Sequence, residues 1–198
     1  MAITNGYCTE AEFKLYADTS STGASATSVI EDIIEGVSRF IDGETGRKFY
    51  SSTGTRYYSV PDDLDNPRLL MLDADLLSIT TLTNGDTSVL LAAEYNFIPK
   101  NRTPYYAIKL KEGSSYVWTY DSDGNTEYVI SVAGAWGFSA TAPHDIRQAC
   151  LSIAHKAWKR FGENATTDTI ITAGGVVITP RDVPATAART LRYYRKWL

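Results

Sequence analysis

The chain has 198 residues, of which 43% are hydrophobic, and a formal net charge of -4. This length and apolar content suffice for one compact domain, or one domain with a large insertion, without stabilising disulfides or metals. The sequence has no run of eighteen apolar residues and no basic segment followed by an apolar one at its start. We therefore expect no membrane span and no secretory signal, and a protein made in a cytosol.

Charge is distributed unevenly along the chain. Residues 144–198 contain nine Lys/Arg and four Asp/Glu, whereas residues 1–143 contain ten and nineteen. The two parts therefore carry formal charges of +5 and -9. This pattern favours a protein whose ends meet different electrostatic surroundings, although ordinary solvated faces give the same pattern.

The first predicted elements are helices. Thr9 and Glu12 form a capping box that opens a short helix to about Ala17, and the Ser/Thr/Gly-rich stretch 18–28 predicts a loop. A second helix follows, which Gly46 is expected to end in the left-handed conformation. Its apolar stripe consists of Ile30, Ile33, Ile34, Val37 and Ile41.

From about Tyr50 the pattern becomes typical of strands. Alternating or β-branched runs occupy 55–60, 68–72, 76–82, 89–91, 105–110 and 128–133, with turn signals between them. Residues 121–127 resemble a calcium loop, but they lack the glycine and glutamate positions of an EF-hand, so we predict a turn between strands.

Helical periodicity returns after Pro143 and ends near Gly162. The apolar positions of this helix are Ile146, Ala149, Cys150, Ile153, Ala157 and Phe161. Residues 169–179, centred on Gly174 and Gly175, predict a hairpin or an extended arm, and Pro184 opens a final helix to Leu198. The predicted fold class is α+β: a small helical bundle from the N- and C-terminal parts, an inserted antiparallel β-domain, and a C-terminal arm plus helix.

No catalytic, cofactor or metal site is predicted. The sequence has no nucleophile elbow, phosphate-binding loop, zinc-protease motif or dinucleotide fingerprint. His144 and His155 lie about three turns apart on one helix and cannot share a ligand. Cys8 and Cys150 lie in separate predicted helices without a metal-binding spacing, which favours reduced, packed thiols.

The final helix carries two stripes. One is basic, with Arg189, Arg192 and Lys196, and the other is apolar, with Ala187, Leu191, Tyr194 and Leu198. An amphipathic helix that closes its own core has this pattern. The density of Arg, Tyr and Trp nevertheless favours a protein interface. Nucleic-acid binding is a further alternative, which the acidic net charge disfavours.

Three parts of the chain together resemble the head-tail connector (adaptor, or head-completion) proteins of long-tailed bacteriophages. The first comprises residues 7–16, 30–35 and 41–49, with the helix exit Thr45-Gly46-Arg47 followed by the aromatic Phe49. The second is the glycine-aromatic strand end at 133–138 that leads into the helix opened by Pro143. The third is 191–196, with a Leu and a Tyr-Arg pair. The resemblance covers the two ends of the chain and little of the β-rich middle.

The resemblance implies a structural virion protein, not an enzyme. Residues 1–49 and 139–165 would form the helical connector core, 50–138 a β-rich insertion, and 166–198 a C-terminal arm and helix. Twelve copies would form a ring in the neck, beneath the portal protein, assembled in the host cytoplasm. The ring would offer its lower face to a stopper or tail-terminator protein. Double-stranded DNA would pass through it without sequence-specific binding, and no membrane or cofactor is implied.

The resemblance also implies that the C-terminal arm and helix dock on the portal. The expected portal contacts are Arg189, Arg192, Tyr193, Tyr194, Arg195 and Trp197. Two alternatives remain at this point. The chain could be another neck or tail-completion protein, or a carbohydrate- or ligand-binding β module, as the tyrosine-rich strands and Trp118 and Trp136 suggest.

Overall fold

The computed structural model describes residues 3–20, 23–62, 65–163, 171–172, 175–176 and 183–196. The chain forms two compact units, a helical unit of Met1–Phe49 and Thr141–Leu198 and a β unit of Tyr50–Ala140. The helices are α1 Glu10–Ala17, α2 Ala24–Thr45, α3 His144–Glu163 and α4 Ala185–Tyr194. The strands are β1 Ser52–Tyr58, β2 Leu69–Thr83, β3 Tyr95–Ile98, β4 Tyr105–Leu110, β5 Ile130–Trp136, β6 Ile171–Thr172 and β7 Gly175–Val176. The predicted α+β class is confirmed, and no helix in the described ranges is long and apolar enough to cross a bilayer.

The core of the helical unit follows the predicted stripes. All five stripe residues of α2 are at most 1% exposed, and Gly46 ends the helix at φ 64°. Five of the six apolar positions predicted for α3 are buried, and the side chain of Phe161 lies outside the described residues.

The loop predicted at 18–28 is wrong in its second half, because α2 begins at Ala24. A tertiary contact stabilises this early start: the Thr27 hydroxyl donates to Glu10 of α1 at 2.8 Å, and Lys14 of α1 donates to Thr27 at 3.4 Å. Ser and Thr are poor indicators of a loop when their hydroxyls have partners on a neighbouring helix.

Hydrogen bonds hold the segment before α1 against α2. The Tyr7 amide donates to the Ser38 hydroxyl at 3.0 Å, and the Tyr7 hydroxyl donates to the Asp42 carboxylate. The same tyrosine oxygen accepts the Phe49 amide at 3.0 Å, and the two rings meet edge to face. Burial, above all, raises the pKa of both Tyr7 and Asp42. Residues 7–8 therefore belong to the core and not to a solvated tail.

The β unit is one antiparallel five-stranded sheet in the order β1-β5-β2-β4-β3. Strand β5 lies between β1 and β2, and its Ser131 is paired with both Tyr57 of β1 and Thr83 of β2. The two strands predicted at 68–72 and 76–82 are one strand, β2, with a register shift between Met71 and Leu76. The register shift explains the incorrect prediction, because an irregularity such as a β-bulge interrupts the alternation of side chains without ending the strand.

Two further strand predictions need correction. Residues 89–91 form only a bridge from Val89 to Thr83, because a turn at 84–87 brings them beside the end of β2. Strand β3 was not predicted; its aromatic side chains pack against the sheet, where Phe97 stacks on Tyr105 at 4.2 Å. The turn predicted at 121–127 is confirmed, with the Asp121 carboxylate accepting the amides of Asp123 and Asn125 at 2.9 Å.

Both tryptophans of the β unit lie in its core. Trp118 and Trp136 are 6% and 4% exposed. Their indole N–H groups donate to the carbonyl oxygens of Arg68 and Gly54, at 3.1 and 2.9 Å. Neither indole ring is therefore exposed for stacking on a sugar, and these two residues no longer support a carbohydrate-binding module.

Candidate functional site

Helix α4 carries four of the six predicted interface residues, and Arg195 and Trp197 follow its end. It begins directly after Pro184, as predicted, but it ends at Tyr194 instead of Leu198. A tertiary contact ends the helix. Arg195 leaves the helical conformation, with ψ 129°, and the amide of Lys196 donates to the Thr45 carbonyl of α2 at 2.8 Å. A backbone contact to another helix thus overrides the helical pattern of the sequence.

One face of α4 closes the core of the helical unit. Ala187 and Leu191 are 2% and 5% exposed, as the predicted apolar stripe requires. Each fully buried leucine side chain contributes on the order of 1.5–3 kcal/mol relative to an exposed one. The amphipathic interpretation of this helix is confirmed for these residues.

Tyr194 lies at the boundary between the buried and exposed faces. Its ring meets Phe49 edge to face at 5.4 Å, and its hydroxyl donates to the Asp145 carboxylate at 3.0 Å. Its carbonyl accepts the Arg47 guanidinium at 2.7 Å. Burial, and then the bond to Asp145, raise the pKa of Tyr194 to about 12. Tyr194 thus anchors α4 within its own unit.

The opposite face of α4 is solvent-exposed and cationic. Arg189, Arg192 and Arg195 are exposed, and none of the three guanidinium groups has a hydrogen-bond or ion-pair partner among the residues the structure describes. Tyr193 is 81% exposed and touches Tyr194 edge to face at 5.2 Å. Trp197, the last of the predicted interface residues, lies outside the described residues. Four of the six predicted residues are therefore available at the surface.

An open groove of about 440 Å³ separates α4 from the C-terminal part of α2. We call it the α2/α4 groove; its lining is Phe40, Glu44, Val183, Ala188, Leu191, Arg192 and Arg195. It combines apolar walls with two guanidinium groups and one carboxylate. Such a groove suits an apolar side chain flanked by carboxylates, because guanidinium forms bidentate bonds with carboxylate. Phe40 and Glu44 were not predicted to be part of this surface, because they lie nearly 150 residues before α4 and meet it only in the fold.

Each of the two histidines contacts a neighbouring side chain of the helical unit. His144 is exposed and bonds Arg147 at 2.9 Å, and Arg147 also bonds Glu12 of α1 at 3.1 Å. His155 meets Tyr16 edge to face, and burial lowers its pKa. No cluster of three or more potential metal ligands occurs among the residues described.

No protein-family model and no curated protein matches this sequence. Solved structures match its fold over the whole chain. A chain from the neck of an empty gene transfer agent particle, computed with C6 symmetry, aligns with a TM-score of 0.59 and 13% identity, covering 100% of this chain and 94% of that chain. A chain from the virion of a native gene transfer agent particle aligns with a TM-score of 0.58 and 14% identity, with the same coverage. At these identities the likeness establishes a shared fold.

Proposed function

We propose that this chain is a structural protein of the neck of a phage-like particle, and specifically the connector (adaptor) that forms a ring under the portal. One observation carries the proposal: the fold of a gene transfer agent neck chain matches this chain over its full length. The match includes both the helical unit and the β unit. The resemblance of the segments around Gly46, Pro143 and Tyr194 to phage connector proteins supports the same role independently.

Ring formation is part of the proposal. The neck with the matching chain was computed with C6 symmetry, and a ring of twelve copies is compatible with sixfold symmetry. A closed ring needs two different surfaces on each copy that meet head to tail. The ring would continue the DNA channel, and the acidic net charge of -4 suits a surface that DNA passes without being held. A stopper or tail-terminator protein would bind on the side of the ring that faces away from the portal.

The exposed face of α4 is the proposed portal-binding surface. It presents three arginines that have no partner among the described residues, and one exposed tyrosine; both residue types anchor protein interfaces. The α2/α4 groove beside it would take an apolar side chain next to acidic residues. Tyr194 holds α4 in place and acts as a positioning residue instead of a contact. Arg189, Arg192, Tyr193, Arg195 and Trp197 remain the proposed contacts.

Charge reversal tests this surface with the folded full-length chain. The double variant Arg192→Glu/Arg195→Glu replaces two exposed guanidinium groups at the groove by carboxylates, and we expect at least a tenfold weaker affinity for the portal protein encoded by the same genome. Arg102→Glu makes a related charge change at an exposed position of the β unit and should bind as the parent does. Surface plasmon resonance at two salt concentrations measures the portal affinity of both variants.

Two outcomes of this experiment would contradict the docking surface. Equal loss of binding in Arg102→Glu would indicate a general charge effect, and unchanged binding in the double variant would place the portal contact elsewhere. Deletion of 181–198 should also abolish portal binding, although it removes buried residues of α4 as well. Binding to a tail protein in place of the portal would favour another neck or tail-completion role.

A further inference from the structure

Two thiols from distant parts of the sequence touch inside the helical unit. The Sγ atoms of Cys8 and Cys150 lie 3.5 Å apart, although the residues are separated by 142 positions. Cys8 precedes the α1 cap at Thr9 and is not helical, contrary to the sequence-based expectation, while Cys150 lies in α3. Both are reduced and buried, with exposures of 3% and 0%.

The surroundings fix both cysteines in position. The Ser38 hydroxyl of α2 lies 3.8 Å from the Cys150 sulfur, and it accepts the amide of Tyr7, the neighbour of Cys8. The N-terminal segment, α2 and α3 thus meet at this point. A disulfide needs an S–S distance of about 2.05 Å, so the sulfurs must approach by about 1.5 Å, which rotations about the Cα–Cβ bonds can supply.

We infer that Cys8 and Cys150 form a redox-sensitive pair, whose oxidation closes an internal disulfide and locks the N-terminal segment onto α3. The oxidant in this reaction is a peroxide. The sulfur of Cys8, the residue with the larger exposure, attacks one peroxide oxygen of H2O2, giving a sulfenic acid and one water. The Cys150 sulfur then attacks the sulfenic sulfur, the S–S bond forms, and a second water leaves. Two thiols are oxidised to one disulfide and one peroxide is reduced to two waters.

The environment makes this reaction slow in the folded chain. The contact with the Cys150 thiol, followed by burial, raises the pKa of Cys8, so the reactive thiolate is scarce at neutral pH. A reducing cytosol therefore keeps the thiols reduced during assembly. In a released particle, an oxidising medium would supply the oxidant. This step rests on the proposed function. The lock would then form after the ring is built.

The experiment uses the reduced, purified full-length chain treated with excess H2O2. Peptide mapping without reductant should find Cys8 linked to Cys150, and the intact mass should fall by two hydrogens. Because the closed loop is long, we expect the melting temperature to rise by about 5–10 °C, and dithiothreitol to reverse the rise. The reaction should accelerate at higher pH.

The matched controls are Cys8→Ala and Cys150→Ala, each compared with and without peroxide so that any cost of the substitution itself cancels. Neither should form the link or gain stability. Oxygen addition without a link, exclusively intermolecular disulfides, or a lower melting temperature in the linked wild-type chain would each overturn the inference. The peptide map of the wild-type chain decides the matter even if a variant fails to fold. No portal is needed, so the result is independent of the proposed neck function.

Discussion

In each of the two units an arginine side chain bonds backbone carbonyl groups, but the residues it joins lie at different separations in the sequence. In the β unit, Arg68 donates to the carbonyl oxygens of Lys111, Ser114 and Tyr116, all within the continuous segment of residues 50–140. In the helical unit, Arg47 bonds the carbonyl of Tyr194, 147 residues away. The helical unit therefore needs both ends of the chain, whereas the β unit is continuous. Because Arg47 and Tyr194 are far apart in the sequence, their contact costs more chain entropy to form during folding than the contacts of Arg68.

The arginines at residues 189, 192 and 195 lie close together in the sequence, whereas the partly exposed Arg56 and the exposed Arg102 of the β unit lie in separate segments. In the β unit, Arg56 bonds Asp73 at 2.6 Å and lies over the Trp136 ring at 4.9 Å. On α4, Arg189, Arg192 and Arg195 have no such partners among the described residues. A cluster of arginines that the described residues leave without partners, beside an apolar groove, is a feature expected of a surface that binds another protein. The comparison supports the proposal that α4 is the binding element.

The largest effect on folding is expected from Phe49→Ala. Phe49 is fully buried and contacts both Tyr7 and Tyr194, so its loss removes the ring on which both chain ends pack. We expect a loss of about 3–5 kcal/mol in the free energy of unfolding. Hydrogen exchange should show the greatest loss of protection in residues 1–49 and 141–196.

Phe97→Ala is the matched change in the β unit. Its ring is only partly buried and stacks on Tyr105, so the cost should be smaller, and loss of protection should centre on β3 and β4. If both variants affected the same amides to the same extent, the division of the core into two units would be incorrect.

An intermediate effect is expected from Arg68→Met, which keeps the length of the side chain and removes its donors. The carbonyls of Lys111, Ser114 and Tyr116 lose a charged partner, and we expect a cost of about 1.5–3 kcal/mol. Protection should fall in residues 111–118. Arg102→Met is the control on the exposed surface of the same unit, and an equal cost there would refute the role given to Arg68.

Tyr194→Phe should cost about 1 kcal/mol at neutral pH, because it removes the hydroxyl that bonds Asp145. The pKa of Tyr194 is raised from 10.0 to about 12 in the folded state, so its contribution is complete below pH 10 and is lost as pH rises toward 12. The stability difference between the two proteins in urea titrations should therefore shrink over that range. A difference that grew with pH would contradict this assignment.

The smallest effect on folding is expected from Arg192→Glu/Arg195→Glu. Both side chains are exposed, so the free energy of unfolding should change by no more than about 0.5 kcal/mol. This contrast with Phe49→Ala separates binding residues from packing residues. A cost above about 2 kcal/mol in urea titrations would show that these arginines stabilise the fold.

The features predicted correctly are those that depend on local pattern. The Ile30 to Ile41 stripe, the Gly46 end of α2, and the buried Ala187 and Leu191 all follow from helical periodicity and cap chemistry. The features that were missed depend on tertiary contact: the end of α4 at Tyr194, after which the Lys196 amide bonds Thr45, and the closeness of Cys8 to Cys150. The spacing of residues along the sequence does not indicate which distant residues meet in the fold.

The central claim is that this chain forms the connector ring under the portal, and electron microscopy of the purified chain mixed with the portal of the same genome tests it most directly. Each component alone serves as the control. We predict an added ring of sixfold or twelvefold symmetry on the tail-facing end of the portal, with α4 at the contact. A portal that stays unchanged when the chain is present in excess would contradict the claim.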